Sequence, residues 1–264
     1  MDIQNKVVWI TGASSGIGEA LAYEFHRRGA RLILSSNEEE ELNRVKANCR
    51  DDERVTVFPL DLAELDTLEA KAKAAVQQFG PVDILVNNAG ISQRSLVKDT
   101  ALSTYQKILN IDFLGQVVIT RAVLPGMLER KSGQIVVMSS ITGKIGAPMR
   151  SGYCAAKHAL HGFFDTLRAE VWRENIQVTI ICPTAVKTRI SFNAVTGDGR
   201  KYGEMSDHLE QGLTAPEAAR EIIAAMAKGQ EEIILGRDRL RYSVYLKRFF
   251  PGLFSKVLRK AKVN

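Results

Sequence analysis

Hydrophobic and polar residues alternate along the chain in two kinds of segment. Short, almost continuously apolar runs, such as VVWI from Val7 and IVVM from Ile135, are typical of strands buried on both faces. Between these runs lie longer segments with apolar residues at helical spacing, as at Ile17, Leu21 and Phe25. Strands that alternate with such helices predict a parallel sheet that is covered by helices on both sides.

The pattern predicts seven strands and six helices before the C-terminal region. The strands are predicted at 6–11, 31–35, 55–60, 83–87, 134–139, 177–182 and 232–235. The helices are predicted at 15–28, 38–49, 63–79, 102–130, 152–174 and 216–228. We therefore predict a Rossmann-type, doubly wound α/β fold with a parallel sheet of about seven strands. Residues 1–236 form one domain in this interpretation, with a polar insertion at about 190–213, and residues 237–264 form a C-terminal extension.

Composition and charge narrow the class of protein. The chain has 264 residues, of which 45% are hydrophobic and 25% charged, which excludes a disordered, collagen-like or disulfide-scaffold protein. The net charge is +6, but the segment from Arg237 onward holds nine Lys or Arg residues and one acid. The body is therefore slightly acidic, and no nucleic-acid partner is predicted for it.

The basic C-terminal extension has an amphipathic pattern. Its apolar residues recur at helical spacing between Tyr242 and Leu258, with an interruption at Pro251-Gly252, while the opposite face carries Lys and Arg. A basic amphipathic helix with aromatic residues can lie in a membrane interface. The alternative is a helix packed on its own core or on a second subunit, with a solvated basic face.

The cysteine residues indicate the cellular compartment, and the histidine residues argue against a metal site. Cys49, Cys154 and Cys182 are odd in number and form no CxxC pair, which favours a reducing compartment. No signal peptide and no run of about 18 apolar residues is found, so we expect a cytoplasmic protein, at a membrane periphery if the tail binds lipid. His158 and His161 lack further ligands at matching spacing, so no metal site is predicted.

A glycine-rich loop follows the first strand. Thr11–Gly18, TGASSGIG, lies between a strand and a helix, so the glycines permit a tight turn and close approach to a pyrophosphate. The helix N-terminus adds free N–H groups and partial positive charge. The alternative is a glycine-rich turn without a ligand.

Three motifs together resemble those of the short-chain dehydrogenase/reductase family. They are TGASSGIG, Asn87-Asn88-Ala89-Gly90 after the fourth strand, and Tyr153-Cys154-Ala155-Ala156-Lys157. The resemblance runs from about residue 6 to 236 and implies an NAD(P)-dependent oxidoreductase that interconverts a carbonyl and a secondary alcohol. The insertion and the PGLF-containing tail resemble a membrane-associated branch of that family, the dehydrogenase/reductase member 7B-like proteins.

Tyr153 and Lys157 have the spacing that acid–base chemistry needs. A tyrosine has a pKa near 10 and is a poor proton carrier at neutral pH, and a neighbouring ammonium lowers that pKa. Residues four apart share one helix face. Alone, such a pair is often a surface contact, but the flanking motifs favour a catalytic pair.

The resemblance implies two further catalytic residues. The family's serine lies 13 residues before the tyrosine, which selects Ser140, and Ser139 is then a structural hydroxyl. The family's relay asparagine lies three residues before a glycine, and that register gives Asp112 here. A slipped register with Asn110 in the role is the alternative. A carboxylate can accept from water or Lys157, and this departure puts the pH optimum in doubt.

The resemblance also implies the cofactor residues. They are Gly12, Ser14, Ser15, Gly16, Ile17, Gly18, Ser36, Asn37, Asp61, Leu62, Asn88, Ala89, Gly90, Tyr153, Lys157, Pro183 and Thr188. At the end of the second strand, Ser36 replaces the acid that binds an adenosine ribose, and Asn37 follows, so NADP is favoured with NAD as the alternative. Thr184 replaces the glycine that usually follows Pro183, and the loop there is expected to tolerate it.

The remaining expectations concern partners. The insertion caps the substrate pocket in this family, and the branch resemblance implies a hydrophobic carbonyl or alcohol substrate. A homodimer or homotetramer is usual for the family. The competing interpretations are a same-fold epimerase or dehydratase, a non-catalytic nucleotide-binding scaffold, and a peripheral membrane protein whose tail is its main function.

Overall fold

The centre of the molecule is a seven-stranded, all-parallel sheet. The computed structural model describes residues 2–49 and 52–260. Its strands are β1 Val7–Thr11, β2 Arg31–Ser35, β3 Val55–Val57, β4 Ile84–Asn87, β5 Gly133–Met138, β6 Ile176–Pro183, β7 Val186–Lys187, β8 Leu213–Thr214 and β9 Glu232–Leu235. The sheet order is β3-β2-β1-β4-β5-β6-β9, and β7 and β8 pair separately. The prediction of a doubly wound parallel sheet is confirmed.

Helices cover both faces of this sheet. The helices of the described residues are α1 Gly16–Arg27, α2 Glu39–Ala47, α3 Leu65–Val76, α4 Leu102–Leu109, α5 Gly115–Arg130, α6 Ser151–Val171, α7 Asp207–Glu210, α8 Ala215–Ala227, α9 Ser243–Phe249 and α10 Pro251–Leu258. One core lies between the sheet and α1, α2 and α8, and a second lies between the sheet and α3, α5 and α6. In β1, Val8 and Ile10 point into the first core, and Val7 and Trp9 point into the second. The continuous apolar runs follow from burial on both faces.

The predicted helix over 102–130 is one continuous helical region with a wider turn inside it. Residues Asn110–Leu114 form a π-helical segment between α4 and α5. The sequence pattern carries no sign of this segment, because the apolar spacing is helical on both sides. Such segments re-aim the side chains they carry and are frequent at functional sites.

The helical region over 102–130 contradicts the sequence-based expectation that no helix is long and apolar enough to span a bilayer. Leu102–Arg130 is 29 residues long, with a mean hydropathy of 1.4 over its most apolar window, which is enough by length and composition. This region nevertheless contains Asp112, which is fully buried against Lys157, and α5 packs on α3. The domain buries 39% of that apolar window.

The C-terminal extension contains two short helices. α9 ends at Phe249 and α10 begins at Pro251, so the break falls where the sequence predicts it. Lys247 Nζ donates to the carbonyl of Lys144 at 2.8 Å, which joins α9 to the body. The last four residues of the predicted extension, 261–264, lie outside the described residues.

Candidate active site

The glycine-rich loop bends back on itself at two positions that need glycine. Gly12 and Gly16 have φ of +65° and +59°, a backbone conformation that side chains with a Cβ rarely adopt. A Cβ on Gly12 would lie 2.8 Å from the Cα of Ala89, and one on Gly16 would lie 3.1 Å from a methyl carbon of Thr188. The loop therefore leaves a narrow cradle at the N-terminus of α1, which fits a pyrophosphate.

Hydrogen bonds from the fourth strand fix the floor of this loop. Asn88 Nδ2 donates to the carbonyls of Thr11 and Gly12, both at 3.0 Å. The Thr11 hydroxyl in turn accepts from the N–H groups of Asn88 and Ala89. Asn87 is fully buried and donates to the Thr120 hydroxyl at 2.9 Å, as expected of a residue that braces the sheet.

The carboxylate of Glu38 lies at the end of the cleft that is expected to bind adenosine, although the acid position at the end of the second strand holds Ser36. Glu38 lies two residues beyond the expected acid position, and its Oε2 accepts from the Ser14 hydroxyl at 2.9 Å. Its N–H donates to the Ser36 hydroxyl at 3.0 Å. Arg44 Nη2 donates to the Ser14 carbonyl at 3.1 Å and also pairs with Glu19. Motif reasoning missed both Glu38 and Arg44, because they lie in the turn before α2 and in α2 itself, outside any short motif.

The remaining predicted cofactor residues line the same cleft. These are Ser15, Ile17, Asn37, Asp61, Leu62, Gly90 and Pro183, together with the residues already described. Asp61 accepts the N–H of Ala63 at 2.8 Å, which fixes the turn after β3. Gly18 lies beneath the loop against the Gly12 carbonyl and Asn88 rather than on the cleft wall.

Tyr153 and Lys157 are buried side by side on α6. The ammonium of Lys157 lies 5.5 Å from the centre of the Tyr153 ring. Lys157 Nζ also donates to the carbonyl of Met138 at 3.0 Å, at the end of β5. Burial raises the pKa of Tyr153, and the positive charge of Lys157 opposes that rise. The net direction is upward because burial outweighs Lys157, whose own effect on this pKa is the expected lowering.

The π-helical segment brings Asp112, rather than Asn110, to Lys157. Asp112 Oδ2 lies 3.3 Å from Lys157 Nζ, and Oδ1 accepts the N–H of Ile91 at 2.8 Å. Burial raises the pKa of Asp112, and Lys157 opposes that rise. The negative charge of Asp112 also raises the pKa of Tyr153. Asn110 makes no described side-chain hydrogen bond at this site.

Ser140 and Ser139 differ in their surroundings. The Ser140 hydroxyl lies on the cleft wall with Tyr153 and accepts from the N–H of Thr142 at 3.2 Å, which caps a short turn after β5. Ser139 Oγ donates instead to the carbonyl of Lys157 at 3.3 Å and lies 3.1 Å from His161 Nε2. Both serines border the cleft, and Ser139 also ties the end of β5 to α6.

The loop after β6 carries an unexpected link to the tail. Thr184 Oγ1 donates to Asp238 Oδ2 at 2.6 Å, and the Thr184 N–H donates to the carbonyl of Leu235. Thr184 has no left-handed backbone, so the replacement of glycine causes no strain. Thr188 lies against Gly16 on the other side of the same cleft.

His161, Cys182 and Glu232 form a cluster outside the cleft. His161 Nε2 lies 3.6 Å from Cys182 Sγ, and Nδ1 lies 3.5 Å from Glu232, which also pairs with Lys144. Each residue offers one potential ligand atom within 4.8 Å of the other two, so the cluster has the arrangement of a three-ligand metal site, which the histidine spacing did not predict. Burial raises the pKa of Cys182 to about 12 and lowers that of His161 to about 4. Both groups are therefore neutral at pH 7.

The cleft has a volume of about 500 Å³, and its two ends carry different chemical groups. The adenosine end holds Glu38 and Asp61, and the other end holds the three residues Ser140, Tyr153 and Lys157. The predicted lid borders the latter end through Ile190, Ser191, Asn193, Val195, Gly199, Lys201 and Leu209. The lid is anchored by hydrogen bonds such as that from Arg94 N–H to the Val195 carbonyl at 2.8 Å.

The sequence matches the short chain dehydrogenase family over residues 6–198. The mouse dehydrogenase/reductase SDR family member 7B is 42% identical over 261 residues, which cover 97% of this chain and 81% of the mouse protein. The human SDR family member 7 is 42% identical over 257 residues, covering 95% and 76%. A Drosophila melanogaster family protein 7-like sequence is 38% identical over 267 residues, covering 99% and 82%.

Solved structures share the fold. A short-chain dehydrogenase from Streptomyces avermitilis superposes with a TM-score of 0.84 at 29% identity, covering 99% of this chain and 100% of the other. A Burkholderia phymatum short chain dehydrogenase/reductase in complex with NAD gives 0.82 at 22% identity, covering 100% and 99%. A Thermococcus sibiricus alcohol dehydrogenase complexed with 5-hydroxy-NADP gives 0.73 at 24% identity, covering 88% and 97%. The Burkholderia and Thermococcus matches, at 22% and 24% identity, support the shared fold alone.

Proposed function

This chain belongs to the short-chain dehydrogenase family, and from that premise we propose which of its residues carry the reaction. It is an NAD(P)-dependent oxidoreductase that acts on CH–OH or C=O groups. The observation that carries the mechanism is the meeting of Ser140, Tyr153 and Lys157 on one wall of the cleft, with Asp112 behind Lys157. A nicotinamide dinucleotide, when bound, supplies or accepts the hydride.

Tyr153 gives the proton to the substrate oxygen, or takes it in the reverse direction. Ser140 donates a hydrogen bond to that oxygen and fixes the carbonyl beside the phenol. Burial raises the pKa of Tyr153, so the phenol carries its proton at neutral pH, and the charge of Lys157 is what favours release of that proton.

Lys157 has two tasks in this mechanism. Its charge stabilises the phenolate that Tyr153 becomes after giving up its proton, and its ammonium holds the nicotinamide ribose. Asp112 keeps Lys157 charged and anchors a water molecule through which the proton is replaced from solvent. The 3.3 Å contact between the two charged groups supports this role.

The cofactor-binding residues in this proposal are those predicted from the sequence. The loop from Gly12 to Gly18 and the N-terminus of α1 bind the pyrophosphate, Asn88–Gly90 lie under a ribose, Asp61 and Leu62 border the adenine, and Pro183 and Thr188 hold the carboxamide. The positive φ at Gly12 and Gly16 supports the first assignment.

NADP is the proposed cofactor. The Ser36 hydroxyl and the Asn37 amide are hydrogen-bonding groups for a 2′-phosphate, and Arg44 brings a cation to the same end. Glu38 opposes phosphate binding there by charge. We expect Glu38→Gln to tighten NADPH binding about tenfold, which corresponds to about 1.4 kcal/mol, and to leave NADH binding within about twofold.

Fluorescence titration with NADPH and NADH measures this preference. The exposed neighbour Glu39 provides the control, since Glu39→Gln removes the same charge from α2 outside the cleft. Tighter binding of NADH than NADPH to the wild type, with Glu38→Gln weakening NADH, would make NAD the cofactor instead.

Tyr153→Phe tests the acid–base assignment. We expect kcat to fall about 10³-fold on any ketone or aldehyde that the wild type reduces, because general acid catalysis contributes 10²–10⁴-fold. NADPH binding should stay within about threefold. Tyr105→Phe is the matched control, because the described hydrogen bond of the Tyr105 hydroxyl is with Ser151, at the start of the same helix. Turnover by Tyr153→Phe at the wild-type rate would refute the mechanism and reopen the epimerase, dehydratase or scaffold interpretation.

The proposal also covers the substrate class, the cellular location and the oligomeric state. The lid side chains Ile190, Val195 and Leu209 support a largely hydrophobic carbonyl or alcohol substrate. The protein is cytoplasmic and rests on a membrane surface through its tail, whose apolar groove of about 640 Å³ is lined by Tyr242, Tyr245, Leu246, Phe249, Phe250 and Val257. It works as a homodimer or homotetramer, as is usual in the family.

A further inference from the structure

A buried histidine nitrogen behind the catalytic wall has no hydrogen-bond partner. His161 lies on α6 one helical turn after Lys157, and only 8% of its surface is exposed. Within residues 2–49 and 52–260, its Nδ1 makes no hydrogen bond, although Glu232 Oε2 lies 3.5 Å away. Buried polar atoms of proteins are nearly always partnered, by another protein atom, by water or by an ion. The mechanism proposed above uses neither His161 nor Glu232.

Ser139 determines which nitrogen of this ring carries the proton. The Ser139 hydroxyl donates to the Lys157 carbonyl at 3.3 Å, so it can only accept from the ring. Nε2, which lies 3.1 Å from the same hydroxyl oxygen, therefore carries the proton, and Nδ1 keeps its lone pair. Glu232 Oε2 is an acceptor too, and two acceptors as close as these repel each other. A cation between the two atoms removes that repulsion and bonds to both.

Cys182 brings a sulfur atom to the same place. It is fully buried near the end of β6, and its Sγ lies 3.6 Å from His161 Nε2. One ligand atom from each of His161, Cys182 and Glu232 lies within 4.8 Å of the other two. The ligands of a tetrahedral zinc ion lie roughly 3.3–3.8 Å apart, because the bonds to the metal are about 2.0–2.3 Å long. Closure therefore needs a shift of about 1 Å, which the partly exposed side chain of Glu232 can supply.

The charges around the cluster can balance a divalent ion. Burial, then the negative charge of Glu232 and more weakly that of Asp165, raise the pKa of Cys182, while Lys144 opposes them. Lys144 pairs with Glu232, but its side chain is 24% exposed, so it can turn to solvent when a metal ion takes its place. The two positive charges of the ion are then balanced by the Glu232 carboxylate and a Cys182 thiolate.

We propose that His161, Cys182 and Glu232 bind one Zn²⁺ ion, with water as the fourth ligand on the exposed side of Glu232. On binding, the Cys182 thiol releases its proton to solvent, the thiolate sulfur bonds to zinc, and Lys144 leaves Glu232. A nitrogen, a sulfur and an oxygen ligand together favour zinc over magnesium or calcium, which take oxygen ligands. None of the three residues lines the cleft, so the site is separate from that of the cofactor. The ion joins α6 and β6 to β9, the strand at one edge of the main sheet.

Cobalt substitution tests the site with a readout that needs no turnover. Co²⁺ takes the place of Zn²⁺ in sites with these ligands, and a thiolate ligand gives it an absorption band in the near ultraviolet. We expect that band to saturate at one Co²⁺ per chain in the metal-free wild type, and Cys182→Ser to abolish it. Cys154→Ser is the matched control, because it also replaces a buried thiol, and it should keep the band.

Zinc affinity, measured by competition with a chromogenic chelator, separates a metal site from a purely structural network. His161→Gln and Glu232→Gln should each weaken Zn²⁺ binding about tenfold or more, because each removes one ligand. Lys144→Met should tighten it about threefold, since the competing ammonium is gone. A purely structural Lys144–Glu232 pair predicts no such gain. His158→Gln is the control on the same helix, because His158 bonds to the Cys154 carbonyl instead, and it should leave the affinity unchanged.

Thermal unfolding provides the second measurement. A ligand that binds only the folded chain stabilises it, so Zn²⁺ at about 100 times its dissociation constant should raise the Tm by about 5–10 °C. Cys182→Ser and Glu232→Gln should lose most of that rise, and EDTA should reverse it in the wild type.

If His161→Gln does not fold, Glu232→Gln and Lys144→Met carry the affinity test, because both side chains are partly exposed. A wild type without the cobalt band would overturn the proposal. Equal zinc affinities of wild type and Cys182→Ser would do the same, because they mean an adventitious ion only.

Discussion

The protonation of Tyr153 depends on a balance between two charged neighbours. Lys157 favours the phenolate and Asp112 disfavours it, and burial adds to the effect of Asp112. An asparagine at position 112 could still accept the Ile91 N–H, but it would leave the charge of Lys157 unopposed. The carboxylate therefore makes this tyrosine a weaker acid than an amide would.

Asp112→Asn is expected to move the pH dependence of catalysis toward acid. Removing the negative charge lowers the pKa of Tyr153, so the phenolate needed for alcohol oxidation forms at lower pH. The alkaline decline of carbonyl reduction should move in the same direction. The measurement is kcat/KM against pH for wild type and variant, with the cofactor saturating.

Asn110→Ala is the companion variant, because the family register leaves Asn110 as the alternative. Its side chain makes no described hydrogen bond in the site, so the pH profile should not move. A profile that shifts with Asn110→Ala and stays fixed with Asp112→Asn would assign the relay to Asn110.

Single residues also mark the limit of what the sequence could predict. Tyr153, Lys157 and Ser140 could be predicted from the sequence, because their spacing and motif context are local, and the structure brings the three to one cleft. Glu38 and Arg150 were missed as residues of the cleft wall, because a turn and a helix start that no short motif encodes bring them there. Thr184 was recognised as a departure, but its partner Asp238 lies 54 residues away.

At the scale of elements, the turn after β5 controls how closely Ser140 approaches α6. Gly143 lies in that turn, and a Cβ there would stand 2.8 Å from the Lys157 carbonyl and would also meet Ser139 and His161. The turn and the helix are thus packed backbone to backbone. The positions of Ser140 and Lys157 depend on that contact.

Gly143→Ala is expected to destabilise the protein by about 1–3 kcal/mol and to lower kcat, since the turn must move away from α6. Thermal unfolding and steady-state kinetics measure the two effects. Gly146→Ala is the control in the same loop, because a Cβ there meets nothing within 4 Å. Equal effects of the two substitutions would show that the contact at Gly143 is not what positions Ser140.

Elements differ in how far the sequence specifies them. The seven strands of the main sheet and their flanking helices were predicted to within a few residues, because burial on two faces leaves a strong pattern. The strands β7 and β8 have two residues each, which is too short to leave a recognisable pattern in the sequence. The π-helical segment Asn110–Leu114 was also missed, since one extra residue in a turn barely disturbs the apolar spacing on either side.

At the scale of the molecule, the tail presents an apolar surface beside the catalytic domain. Phe249 and Phe250 are 67% and 62% exposed, and Tyr242 and Tyr245 are exposed to a similar extent. Basic residues surround them, which suits an interface with anionic lipid. The groove also includes His208 of α7, whose neighbour Leu209 lines the cleft, so the tail adjoins the lid.

Replacing Phe249 and Phe250 together by Ser is expected to weaken binding to vesicles of 30% phosphatidylglycerol in phosphatidylcholine at least tenfold. Each buried phenylalanine contributes roughly 2 kcal/mol to such a transfer. Co-sedimentation with the vesicles measures the loss. Trp172→Ser removes another exposed aromatic residue, at the end of α6, and should leave binding unchanged.

Failure of the wild type to bind these vesicles would refute the membrane role of the tail. The alternative, in which the tail packs on a second subunit, predicts that the Phe249 and Phe250 double variant dissociates. Sedimentation equilibrium of wild type and variant measures that outcome.

The strand order has a consequence for how the protein is made. β1 lies in the middle of the sheet, between β2 and β4, and its Val8 pairs with Ile84 on the β4 side. A ribosome adding roughly 5–20 residues per second takes about 4–15 s to cover that interval. For this time the growing chain exposes one unpaired edge of β1 together with its apolar side chains, so nascent chains offer chaperones a binding segment that the finished enzyme conceals.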